Sequence, residues 1–69
     1  MEIREYANGK FQVWNGNSVL NPVTLNWELA MKWQEEAMFV GTIDEANSII
    51  FARESKDAEL TIVKTHEVG

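Results

Sequence analysis

The side chains that carry chemistry in this chain are few, and their spacing argues against catalysis. His66 is the only histidine, so a histidine-pair metal site or proton relay cannot be built within one chain. Adjacent carboxylates occur at Glu35-Glu36 and Asp44-Glu45. Paired carboxylates hold metals or divide acid and base roles only when they converge in a buried site. On a helix Glu35 and Glu36 would point about 100° apart. Asp44 and Glu45 are better explained by the favourable placement of negative charge in a first helical turn. Ser18, Ser48 and Ser55 have no histidine or lysine at a motif-like spacing, and no glycine-rich phosphate loop or nucleophile elbow is present. The expectation is a protein that is not an enzyme, with no catalytic residue, no cofactor and no metal.

Composition narrows the class further. There is no cysteine, which removes disulfides and thiolate chemistry. Eleven carboxylates against six lysines and arginines give a net charge of −5, which disfavours direct attraction to nucleic acid or anionic lipid. No apolar run approaches the ~20 residues of a membrane span, and Met1-Glu2-Ile3-Arg4-Glu5 lacks the order of a secretory signal, so a cytoplasmic location is expected. With 69 residues, three tryptophans, three phenylalanines and one tyrosine, the chain should form a single folded domain over residues 1–69. Its core is small, so an oligomer, and a homodimer in particular, is a reasonable expectation.

The elements that would position these residues read as α+β. Asn8-Gly9 between apolar stretches predicts a two-residue type I′ hairpin, with Tyr6 opposite Phe11, Arg4 opposite Val13 and Ile3 opposite Trp14. In that register Trp14 lies on the second face and needs a second cover. Residues 15–18 form another turn signal, with a short third strand at Val19-Leu20. From Thr24 or Asn26 the residue types turn helical, placing Leu25, Leu29, Trp33, Ala37 and Val40 on one stripe with Ala30 at its edge. Lys32 would pair with Glu28 and Glu36 four residues away on either side, and Gly41 would end the helix in the left-handed conformation. Thr42-Ile43-Asp44-Glu45 is a capping box that starts a second helix, with residues 48–52 favoured as helix over strand. Residues 58–68 alternate as a final strand, with His66 at its solvated end. The predicted architecture is a small antiparallel sheet of three to four strands with two helices on one face, in the order β-β-(β)-α-α-β.

Two surfaces exceed what a core requires. On the predicted first helix Trp27, Met31 and Met38 form a second apolar stripe which, with Trp14, would serve a protein partner or a homodimer. The carboxylates Glu28, Glu35, Glu36, Asp44 and Glu45 would form an acidic face able to imitate spaced phosphates and occupy a basic groove.

Size, acidity, this plan and the segment Phe39-Val40-Gly41-Thr42-Ile43-Asp44-Glu45-Ala46 resemble the small acidic phage-encoded proteins that bind and disable host factors in host takeover or anti-defence, including the DNA-mimic kind. The resemblance implies a stoichiometric inhibitor acting by occlusion. Its implied target is a host nucleic-acid-binding or nucleoid protein, a polymerase or a defence complex. The competing expectation is a structural or adaptor subunit that assembles through the apolar stripe.

Overall fold

The computed structural model describes every residue except Ala30, Lys32 and Gly69. Four strands, β1 (Glu2–Glu5), β2 (Phe11–Asn15), β3 (Ser18–Leu20) and β4 (Trp27–Leu29), form an antiparallel meander in spatial order β1-β2-β3-β4. A 3-10 turn at Glu36–Met38 leads to a single helix, α1 (Ile43–Glu59). The class is α+β as expected, with one α-helix rather than two among the described residues.

The first hairpin forms where Asn8-Gly9 predicts it, but with a three-residue loop. Tyr6 N–H donates to the Lys10 carbonyl at 2.9 Å, and Gly9 N–H donates to the Tyr6 carbonyl at 2.9 Å. Gly9 has φ 79° while Asn8 stays out of the left-handed region, so the turn is a type I turn closed by a left-handed glycine. The extra loop residue moves the register by one position: Ile3 faces Val13, Arg4 faces Gln12 and Glu5 faces Phe11. A one-residue shift exchanges faces. Ile3, Phe11 and Val13 therefore turn towards α1, and Arg4, Gln12 and Trp14 turn away from it. The second turn places Gly16 at φ 62° with Asn17 at negative φ, the type II′ arrangement, and pairs Trp14 with Val19. The expected short third strand is present.

The predicted first helix is not formed. Asn21 directs the chain instead: its Oδ1 accepts from Val23 N–H at 2.8 Å and Thr24 N–H at 3.1 Å, and its carbonyl accepts from Leu25 N–H at 2.8 Å. Leu25 then adopts φ 61°, which reverses the chain and lets Asn21 N–H donate to the Asn26 carbonyl. Trp27–Leu29 consequently pair with β3, and local helix propensity gives way to the ladder. Gly41 is not left-handed, having no helix to terminate.

Thr42 caps α1 as its sequence predicts, with Oγ1 accepting from Glu45 N–H at 3.1 Å, and residues 48–52 are helical. The Glu45 carboxylate accepts from Gly41 N–H at 3.1 Å, one residue before the cap. Ala46 is fully buried, and Ile49 and Ile50 pack beside it on a core of Val13, Leu20 and Val40 with Ile3, Phe11 and Trp27. Arg53 Nη1 donates to the Leu25 carbonyl at 2.6 Å, tying the helix to the β3–β4 loop. Val40 closes the core by exchanging two 2.9 Å hydrogen bonds with Phe11. The expected final strand is absent: α1 continues to Glu59, and residues 62–68, His66 included, are exposed and unpaired in strand terms.

Candidate functional site

The second face of the sheet carries the site. Trp14 and Val19 are buried there under Met38 and Trp33, so the segment leading into the 3-10 turn supplies the second cover that Trp14 requires. The Gln12 side chain, at 0% exposure, joins these parts. Its Nε2 donates to the Trp33 carbonyl, and its Oε1 accepts from Trp14 Nε1 at 3.0 Å. The same indole N–H also faces Tyr6 Oη at 3.1 Å. Every buried side-chain polar atom among the described residues has a partner, as a buried network requires.

Around this network Arg4, Tyr6, Trp14 and Trp33 line an open cleft of about 270 Å³. The Tyr6 and Trp33 rings lie nearly parallel, 22° apart with centroids at 6.1 Å, and Phe39 meets Tyr6 edge-on at 5.4 Å. The Arg4 guanidinium lies 4.3 Å from the centroid of the Trp14 ring, a cation–π contact. Arg4 also donates to Glu2 Oε1 at 2.9 Å. That hydrogen bond holds the Glu2 carboxyl below its ordinary value and raises Arg4 above its own. Lys10 Nζ, beyond Tyr6 in the same hairpin, reaches Glu36 Oε1 at 3.2 Å and ties the 3-10 turn to the sheet.

The cleft is walled by aromatic rings and one guanidinium, groups on which a ring can stack and an anion can be held. Its volume is below the roughly 300–1,000 Å³ of typical small-molecule pockets, which suits a single inserted side chain or ring. Among the described residues no group of three or more His, Asp or Glu side chains is arranged to hold a metal, and no helix is long and apolar enough to cross a membrane.

The sequence-predicted site residues are dispersed. Glu28 lies in β4, half-buried, with Oε2 accepting from Asn21 Nδ2 at 2.9 Å. Glu35 and Glu36 precede and open the 3-10 turn, with Glu36 engaged by Lys10. Asp44 and Glu45 occupy the first turn of α1, with Glu45 held in the cap. The expected Lys32 pairs lie outside the described residues. The apolar stripe is dismantled because its helix does not form. Trp14 and Met38 are buried together behind the sheet, Trp27 is half-buried on the α1 side, and Met31 is 82% exposed.

Sequence reasoning missed Arg4, Tyr6, Gln12 and Trp33 as one constellation. Their signal is the alternation Arg4-x-Tyr6 and Gln12-x-Trp14, which comes onto one face of the sheet only in the three-residue-loop register, with Arg4 opposite Gln12. Compared with protein families, curated proteins and solved structures, the chain shows no match.

Proposed function

We propose that this chain is a non-catalytic protein-binding module, a stoichiometric inhibitor that occludes a basic, nucleic-acid-binding site on a partner protein. The observation that carries the reading is how the charges are spent. Arg4, Lys10 and Arg53 are already paired with Glu2, Glu36 and Asp57, whereas Glu35, Asp44, Glu54 and Glu59 are exposed with no ion pair among the described residues. The surplus negative charge therefore faces outward on the 3-10 turn and α1, where it is available to a basic surface. The aromatic cleft adds an anchor, since Tyr, Trp and Arg are the residue types in which binding energy concentrates.

The test is capture of partners on tagged protein, with and without duplex DNA as competitor. A retained basic protein that DNA displaces, with affinity falling between about 50 and 200 mM salt, supports the reading. Salt-insensitive binding overturns charge mimicry. Trp33→Ala separates the two parts, because it removes a cleft wall without altering net charge.

The second reading, an adaptor subunit assembling through apolar contact, is favoured by one observation: Leu29, at the end of β4, and Met31 are 65% and 82% exposed. Met31→Glu tests it, since loss of an assembly with retained fold is the result that reading requires.

A further inference from the structure

The chain has more surface than its mass requires, and every residue from 60 to 68 is exposed. Its accessible surface is 5094 Å², against about 4,400 Å² for a compact monomer of this mass. Its radius of gyration is 14.8 Å, against about 11 Å for a compact chain of this length. The longest dimension reaches 58 Å. Among the described residues, no hydrogen bond or ion pair connects anything after Arg53 to the sheet. Leu60 N–H and Thr61 close the helix onto Lys56, Asp57 and Ala58 carbonyls, and the chain then leaves it. Leu60, Ile62 and Val63 are 72%, 80% and 94% exposed, three apolar side chains left largely uncovered by the described residues. Ile62, Val63 and Thr65 are β-branched, the residue types that suit a strand.

The sheet offers a matching vacancy at β1. Phe11 exchanges its hydrogen bonds with Val40, on the side away from β1. Glu5, directly opposite Phe11, therefore turns its own N–H and C=O away from β2, and by the alternation of an antiparallel ladder so does Ile3. This edge carries Glu2 and Glu5, and the segment beyond α1 carries Lys64 between its β-branched residues.

We infer that residues 62–65 of one chain add as a strand to the open β1 edge of a second copy of this chain, and that the second copy reciprocates to close a two-fold dimer. Main-chain hydrogen bonds from Ile3 and Glu5 give the contact its register, and Leu60, Ile62 and Val63 lose their exposure. Opposite charge between Lys64 and the β1 carboxylates favours this edge, which its own charges otherwise protect from indiscriminate pairing. A two-fold exchange leaves no further free copy of either element, so assembly stops at two.

The test is sedimentation of the full chain across a wide concentration range, with amide hydrogen exchange at Ile3 and Glu5. The expected result is a species of twice 7.9 kDa at high concentration. Slow exchange at Ile3 and Glu5 appears only when that species is populated. Ile62→Glu, at a position 80% exposed in the monomer, weakens dimerisation on the order of a hundredfold and abolishes the protection, with the circular dichroism spectrum unchanged. A wild-type chain that stays monomeric throughout overturns the inference. So does a dimer that survives Ile62→Glu, or protection of Ile3 and Glu5 that is independent of concentration, which means the segment folds onto its own sheet. None of these outcomes bears on occlusion of a basic partner, which the capture experiment reads separately.

Discussion

Replacing Gln12 by leucine tests whether the buried network behind the sheet holds the site together. Leucine has similar bulk, so little cavity is created, but both hydrogen bonds of the amide are lost. Trp14 Nε1 keeps Tyr6 Oη as a partner at 3.1 Å, whereas the Trp33 carbonyl loses its side-chain donor. Two hydrogen bonds at about 1 kcal/mol each, plus about 1–3 kcal/mol for a carbonyl left without a donor, set the loss. Burying leucine in place of the amide returns about 1–2 kcal/mol. The net expectation is destabilisation of about 2 kcal/mol, a large share of the roughly 3–10 kcal/mol that a chain of this length can hold. Equilibrium urea unfolding followed by tryptophan fluorescence measures it, and native emission should shift to the red as Trp33 loosens from Gln12. Tyr6→Phe is the control and should cost under about 1 kcal/mol, because Gln12 still accepts from Trp14. A Gln12→Leu midpoint equal to or above wild type, at unchanged slope, would show that the network contributes no net stability and refute the reasoning.

Thr42→Ala should cost about 1 kcal/mol, seen as a lowered urea midpoint, since Glu45 N–H loses its acceptor at the start of α1. At Leu25 the usual order of alanine above glycine should reverse: both variants lose the side chain, but only glycine adopts φ 61° freely, so Leu25→Gly should exceed Leu25→Ala by about 0.5–1 kcal/mol. The Glu2 carboxyl is held low by Arg4, so its stabilising contribution is present above the ordinary glutamate pKa and is lost as pH falls through the lowered folded value. Acid titration of stability should therefore be shallower for Glu2→Gln than for wild type below that ordinary value. Ala46→Leu should destabilise by about 1–3 kcal/mol in thermal or urea unfolding, because Ala46 is fully buried where α1 approaches the sheet.

Local chemistry was legible where a few neighbouring residues settle the backbone. Asn8-Gly9 and Asn15-Gly16 mark turns, and Thr42 with Glu45 starts a helix, because each motif satisfies its own hydrogen bonds within a few residues. The outcome was less legible where competing local preferences are close in energy. Residues 27–40 contain strong helix formers, yet Asn21 captures three N–H groups in the preceding loop and aims Trp27–Leu29 at β3. The alternation of residues 58–68 suits a strand, but none of the described residues pairs with it and α1 extends to Glu59 instead.

By itself the sequence determined the α+β class, the positions of the first two turns, the short third strand, the capped helix over residues 48–52 and the acidic balance of the surface. Tertiary structure decided the hairpin register, the number of helices and the assembly of Arg4, Tyr6, Gln12, Trp14 and Trp33 into one cleft. The physical reason is that turns and caps are satisfied by neighbours in sequence. Which face a strand residue occupies, and whether a helix former pairs in a sheet, depends on ladder hydrogen bonds and burial supplied by residues far away in the chain.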